Sequence, residues 1–120
     1  MLVLAAITAA AFVIGLVRLP GSIKSGIDLE MASHYLEINQ PKRAAELLKP
    51  LVMRYPEAKD ARVNLAKAYI LSGQLKEGVM ELNYFEGQQV DEDFGHKLDE
   101  VAGLLDEKIK ALPEEKGATN

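Results

Sequence analysis

Few side chains in this sequence have the types and spacing that catalysis or metal binding requires. The two histidines, His34 and His96, lie far apart, without the paired spacing of metal ligands. The acidic pairs at 99–100 and 106–107 have the carboxylates used in general acid–base catalysis, but no apolar pocket or orienting group accompanies them. Solvation of a helix face explains such pairs better. The sequence therefore predicts no enzyme, no metal site and no cofactor.

The composition excludes further classes of function. The chain has 120 residues, of which 48% are hydrophobic and 27% charged, as suits one small domain with an appendage. It has no cysteine, so disulfides, iron–sulfur clusters and thiol catalysis are excluded. The net charge is -4, and all of the excess acid lies in residues 86–120. This acidic balance argues against nucleic acid as a partner, because phosphate binding needs a basic surface.

The first 19 residues are the most apolar part of the sequence. No charge interrupts residues 2–17, and this run approaches the roughly 20 residues that cross a bilayer as a helix. We therefore predict a transmembrane anchor helix at residues 1–19. Two alternatives stay open. One is a cleaved signal peptide, although no Lys or Arg precedes the apolar run, and the other is a buried helix of a soluble domain, because the run is short and rich in alanine.

Small residues recur every four positions within this predicted anchor, at Ala5 and Ala9 and at Ala11 and Gly15. Such spacing places them on one helix face, where a second transmembrane helix can approach closely. Packing against a partner's transmembrane helix is one interpretation of this pattern. The general abundance of alanine in the segment is the other.

The segment after the anchor indicates its orientation and its connection to the domain. Arg18 and Lys24 follow the apolar run and no basic residue precedes it, so the positive-inside rule favours a cytoplasmic rather than a periplasmic domain. Residues 20–26 are rich in proline, glycine and serine. Because Pro20 and Gly21 disfavour continuation of a helix, we predict a linker at 20–26.

The sequence after the linker repeats with a period of 34 residues. At this offset Tyr35 aligns with Tyr69, and Asn39 aligns with Gly73. Asparagine and glycine both tolerate the left-handed conformation that ends a helix. Each unit therefore predicts a helical hairpin that turns at Asn39 or at Gly73. The predicted helices run over 28–38, 41–55, 57–72 and 74–86.

These units resemble the tetratricopeptide repeat (TPR). The second unit has the family's packing residues as Ala66, Tyr69, Gly73, Gly78, Leu82 and Phe85. The first unit has them as Ala32, Tyr35, Asn39, Ala44, Leu48, Leu51 and Pro56. The departures are asparagine for glycine at 39, glycine for alanine at 78, valine for proline at 90, and the lack of tryptophan. The resemblance implies an all-α domain at 27–90 with two TPR hairpins, at about 25–56 and 57–90.

A last helix is predicted at residues 91–112. Its apolar residues recur at steps of three and four, as on a helix with one buried face: Phe94, Leu98, Val101, Leu105, Ile109 and Leu112. Asp91 is a suitable N-cap, and Lys108 and Lys110 lie in the last turn, where the helix dipole favours cations. Because two repeats do not bury their faces alone, we interpret this helix as a cap. Residues 113–120 are predicted to be a disordered tail.

The resemblance to the TPR family also implies a partner-binding groove, lined by the first helix of each hairpin. At the positions that the family uses for partner contact, this sequence has Leu29, Ser33, Leu36, Glu37, Asp60, Val63, Lys67, Ile70 and Leu71. This mixture suits an amphipathic or extended protein segment. Leu29 and Ser33 do not match the carboxylate clamp of chaperone-binding members. In the alternative interpretation, the apolar members of the set pack on the linker or on the anchor.

These predictions describe a membrane-anchored module for protein–protein interaction. We expect an accessory subunit or scaffold of a larger membrane protein complex, with the complex's subunits as partners and with lipid contacted through residues 1–19. The alternative is a chaperone-like or biogenesis factor that acts transiently on envelope or secreted clients. The resemblance to small anchored TPR proteins of bacterial secretion and cytochrome maturation implies a single pass through a bacterial inner membrane. Nucleic acid and small-molecule substrates are not expected.

Overall fold

The computed structural model describes residues 21–113, and this part of the chain consists of α-helices without a β-strand. The helices are α1 (Gly21–Glu37), α2 (Pro41–Arg54), α3 (Lys59–Leu71), α4 (Leu75–Asn83) and α5 (Glu92–Ala111). The predicted all-α fold is confirmed for these residues. No helix within 21–113 is both long and apolar enough to cross a membrane. The predicted anchor at 1–19 and residues 114–120 of the predicted tail lie outside the described residues.

The same hydrogen-bonded turn closes α1 and α3, which confirms the two predicted hairpins. Asn39 and Gly73 both have positive φ, at 58° and 84°. The amide that follows Asn39 donates to the Tyr35 carbonyl at 2.7 Å, and the amide that follows Gly73 donates to the Tyr69 carbonyl at 2.8 Å. A bond of this span around a left-handed residue is the Schellman arrangement. The period of the sequence is therefore also a period of the backbone.

The predicted linker is wrong for the residues that the structure describes, because α1 already begins at Gly21. Each glycine inside a helix costs about 1 kcal/mol relative to alanine. The packing of α1 against α2 and α3 offsets this cost.

Two buried clusters hold the helices together, and α3 contributes to both. The first lies between α1, α2 and α3 and consists of Ala32, Ala44, Leu48, Leu51, Val52, Ala61, Leu65 and Ala68. The second joins α3 to α5 and to the turn after α4, and consists of Val63, Ala66, Ile70, Phe85 and Val101. Because α3 is buried on two sides, it couples the first hairpin to everything that follows it.

The last helix repeats the packing of the third. α3 packs on α1 and α2, and α5 packs in the same manner on α3 and α4. Its start is capped by Asp91, whose carboxylate accepts a hydrogen bond from the Phe94 amide at 2.8 Å. The helix predicted at 91–112 is thus confirmed in its position and its N-cap. α1, α3 and α5 form one layer, which we call the α1–α3–α5 layer, while α2 and α4 lie on the other side.

Candidate protein-interaction surface

The residues predicted to bind a partner lie on two helices of the α1–α3–α5 layer, and their exposure differs widely. Four of them belong to α1 and five to α3. The exposed members are Glu37 and Asp60. The half-buried members are Leu29, Ser33, Leu36, Lys67 and Leu71. The completely buried members are Val63 and Ile70.

Val63 and Ile70 are not accessible to a partner, which corrects their predicted role. Both are 0% exposed and pack in the second cluster against Phe85 and against Val101 of α5. The reason is that α5 lies along α3 as well as α4. The apolar spacing of α5 predicted that one of its faces is buried, but not which neighbour buries it.

Leu29 and Leu36 are only partly exposed on this surface. Both are half-buried and pack on the first cluster, between α1 and its neighbours α2 and α3. Their apolar area therefore stabilises the first hairpin, and this packing replaces the predicted alternative of contact with a linker. Only their outer edges face solvent and are open to a partner.

A hydrogen bond between α1 and α3 uses the polar groups that a carboxylate ligand would need. The Asn64 side-chain amide, itself only 6% exposed, donates to the Ser33 hydroxyl at 3.2 Å. A buried amide without a hydrogen-bond partner would lower the stability of the fold. The amide of Asn64 is paired with Ser33 for this reason, and it is not available as a donor at the surface. The surface therefore offers no amide clamp for the terminal carboxylate of a partner at these two residues.

Two ion pairs tie α5 to α3 along the same surface. Lys67 Nζ lies 3.3 Å from Glu100 Oε1, and Lys97 Nζ lies 3.7 Å from Asp60 Oδ1. Lys97 and Glu100 were not among the predicted site residues. Their charges are opposite to those of their partners on α3. These two residues could have been predicted only if the position of α5 beside α3 were known. The accessible surface is consequently charged and of alternating sign.

A cleft of about 380 Å³ opens beside Asp60, where α3 and α5 begin. Its apolar part comes from Val90 and from Phe94, whose ring lies 5.3 Å from that of Phe85. Charged residues of both signs form the rest of the lining: Lys59, Asp60, Asp91, Asp93 and Lys97. This cleft has room for a side chain of a partner at the edge of the α1–α3–α5 layer.

Two of the described residues, Tyr69 and Lys110, have raised pKa values. Burial, with smaller contributions from the carboxylates of Glu81 and Glu77, raises the pKa of Tyr69 above its usual 10.0. A hydrogen bond to Asp106 raises the pKa of Lys110 above 10.5. Neither group is thereby suited to general acid–base catalysis near pH 7. Within residues 21–113, no three His, Asp or Glu side chains are grouped to hold a metal ion.

Two hairpins with the same closing turn, followed by a helix that repeats the packing of α3, are the geometry of a helical repeat. Residues 29–83 match the tetratricopeptide repeat family. The match runs from α1 to the end of α4 and supports the TPR family for this segment. TPR segments are typically non-enzymatic modules that bind protein partners. The chain matches no curated protein and no solved structure.

The departures from the TPR pattern are accommodated by the structure. Asn39 takes the positive φ that glycine usually supplies. Gly78, where the pattern has alanine, is buried against Ile70. Val90 replaces the proline and lines the cleft at the start of α5. The two hairpins therefore keep the packing of the family's pattern with different residues at these three positions.

Proposed function

We propose that the chain is a membrane-anchored TPR module that serves as an accessory subunit or scaffold of a larger membrane protein complex. The observation that carries this proposal is the accessible surface of the α1–α3–α5 layer. It combines the charges of Glu37, Asp60 and Lys67 with the partly exposed Leu71. A surface that mixes charged and apolar groups in this way suits a segment of another protein better than a small substrate.

The apolar residues 1–19 support the membrane part of the proposal. Because α1 begins at Gly21, an anchor ending at residue 19 would hold the TPR hairpins close to the bilayer. The small residues Ala5, Ala9, Ala11 and Gly15 would pack against a transmembrane helix of the partner. The charges after the anchor favour the cytoplasmic side of a bacterial inner membrane. Tethering raises the effective concentration of the partner, so a short surface of modest affinity suffices.

Site-specific photocrosslinking of the full chain in native membranes tests this function. A photoreactive amino acid is placed at Glu37 or at Asp60, and a control is placed at the exposed Glu86, outside the layer. We expect the first two positions to capture the same membrane protein in a fixed ratio and the control to capture none. Recovery of the chain alone, as a monomer, from all three positions would contradict the proposal.

A second candidate function, a chaperone-like or biogenesis factor for envelope or secreted clients, is favoured by exposed methionines. Met31, Met53 and Met80 are 44%, 75% and 64% exposed, and methionine is common on surfaces that accept varied apolar partners. The same crosslinking experiment separates the two functions. Many clients captured in small amounts support the chaperone-like factor, whereas one partner at a fixed ratio supports the scaffold.

A further inference from the structure

Two neighbouring clefts lie at the edge of the α1–α3–α5 layer, around the turn between α1 and α2. One has a volume of about 470 Å³ and is lined by Lys42, Arg43, Leu71 and Ser72 among others. The second, of about 450 Å³, shares Lys42 and Ser72 and adds Lys49 and Tyr69. The two clefts are neighbours, because Lys42 and Ser72 line both of them. We call the two together the basic groove.

The charge of the basic groove is unbalanced. Lys42, Arg43 and Lys49 contribute three cations, and Glu46 contributes the one carboxylate of the lining. Within residues 21–113, none of these cations has a carboxylate partner, whereas Arg62, by contrast, pairs with Glu81. Arg43 instead lies over the Tyr35 ring at 5.9 Å. The lining of the groove therefore has a net positive charge, with three cations and one carboxylate.

The other lining residues add an apolar contact and a hydrogen-bond donor. Leu71 and Tyr69 are half-buried and expose the rest of their side chains to the groove. The Tyr69 phenol is protonated at neutral pH, as is usual for tyrosine, so its hydroxyl can donate a hydrogen bond to a ligand. The Ser72 hydroxyl already donates to the Ala68 carbonyl at 2.7 Å. Apolar contact and cations thus lie side by side.

We propose that the basic groove binds an extended acidic segment of a partner protein. Its carboxylates would contact Lys42, Arg43 and Lys49, and an apolar side chain between them would pack on Leu71. Complementary charge supplies the attraction and the orientation of such a segment. The inference rests on the proposed function only in that it specifies the chemistry of a protein partner, at a groove that shares only Leu71 with the surface of the proposed function.

The same charges fit a peptide better than a membrane or a nucleic acid. The surface of a bilayer is flat, so it contacts side chains that protrude from a protein. These cations instead line a recess that also contains Glu46. The acidic residues 86–120 would be repelled by an anionic bilayer. Three cations on a chain of net charge -4 are few for a phosphate backbone.

Fluorescence anisotropy on the full chain in a nonionic detergent tests the proposal. The probe is a fluorescein-labelled acidic peptide, EELEDLE, and the neutral peptide QQLQNLQ is its control. The double variant K42E/K49E reverses two exposed cations of the groove, and Lys108→Glu makes the same change at an exposed position of α5. We expect the groove variant to raise the Kd for EELEDLE roughly tenfold, and Lys108→Glu to leave it unchanged. Binding of the acidic peptide should weaken as salt is added.

Three outcomes would overturn the proposal. These are equal binding of the acidic and neutral peptides, equal weakening by the groove and α5 variants, and tighter binding of soluble dihexanoyl phosphatidylserine than of the peptide. The last would identify the groove as a lipid headgroup site. Circular dichroism confirms that the variants fold, and the salt dependence of the unsubstituted chain gives a second readout. Failure of the crosslinking experiment leaves this assay unaffected, so the two proposals can fail separately.

Discussion

Ile70 fills the space that a side chain at Gly78 would occupy. A Cβ atom at residue 78 would lie 2.6 Å from Ile70 Cγ1 and 3.4 Å from the Ala66 carbonyl oxygen. Real Cβ atoms are not found as close as the first of these distances. The missing side chain lets α4 approach α3 until Ile70 has no exposed surface. Glycine is a poor helix former, but it is favourable at position 78 because it has no side chain to collide with Ile70.

Gly78→Ala should destabilise the protein by about 1 kcal/mol, although alanine is the better helix former. Overpacking costs roughly 1 to 3 kcal/mol, which exceeds the gain of about 1 kcal/mol in helix propensity. Gly103 is the matched control, because it lies in α5 with nothing within 4 Å of a Cβ. Gly103→Ala should stabilise by roughly 0.5 to 1 kcal/mol. Thermal unfolding followed by circular dichroism measures both changes, and equal stabilisation by the two would contradict the close contact.

Replacement of Arg62 by lysine should lower the stability of the protein, although the charge is kept. Its Nη1 donates to Glu81 at 2.9 Å, its Nη2 donates to the Pro56 carbonyl at 2.7 Å, and its guanidinium lies 3.9 Å from the centre of the Tyr84 ring. The guanidinium is planar, so it can donate two hydrogen bonds and stack on an aromatic ring at the same time. A lysine ammonium cannot do both. We expect Arg62→Lys to cost about 1 kcal/mol and Arg62→Ala about 2 kcal/mol in the free energy of unfolding.

Urea unfolding at neutral pH measures these changes. Lys110→Ala is the control, since its pair with Asp106 joins two exposed side chains on one helix and should not shift the midpoint. An unchanged midpoint in Arg62→Lys would mean that charge alone, without fork geometry or stacking, accounts for the contribution of Arg62.

The stability of the protein should fall above about pH 10 through Tyr69. Burial raises the pKa of this phenol, with Glu81 and Glu77 acting in the same direction. The folded state thus holds the proton more tightly than the unfolded chain, so the stabilisation is present below the usual tyrosine pKa of about 10 and is lost as the pH rises through the folded value. Tyr69→Phe should reduce this alkaline loss, whereas Tyr55→Phe, at an exposed residue, should not. Unfolding midpoints from pH 8 upward, compared between the variants, provide the measurement.

The hairpins were predictable because local chemistry repeats in the sequence. Asn39 and Gly73 occupy equivalent positions, and both residue types accept positive φ, so the two turns can be placed without knowing the packing. Asp91 marks the start of α5 in the same local way. The helical state of residues 21–26 was not predicted, because glycine and serine disfavour a helix locally and the packing of α1 on α2 and α3 is not local.

The partner surface was predicted less well, because it depends on which helices become neighbours. Val63 and Lys67 both lie on the family's contact positions, but α5 buries the first and leaves the second half-exposed. Lys97 and Glu100 entered the surface for the same reason. The spacing of residues in one helix predicts which of them share a face. Whether that face is buried can be predicted only if the position of the neighbouring helix is known.

An exchange of the charges of Lys67 and Glu100 separates a structural from a binding role for Lys67. Lys67→Glu alone places like charges together and should lower the free energy of unfolding by less than about 1 kcal/mol, since both side chains are partly solvated. Adding Glu100→Lys should restore the ion pair and the stability. The double variant nevertheless presents the opposite sign of charge on α3 to any partner.

The decisive measurement is crosslinking of this double variant from a photoreactive residue at Asp60. If a partner contacts Lys67, as the proposed function requires of the α1–α3–α5 surface, the crosslinks should be lost while the unfolding midpoint is unchanged. If the double variant recovers both its stability and its crosslinks, Lys67 serves only to hold α5 on α3. The contact surface must then lie elsewhere, toward Glu37, because the charge of that residue is the same in every variant of this set.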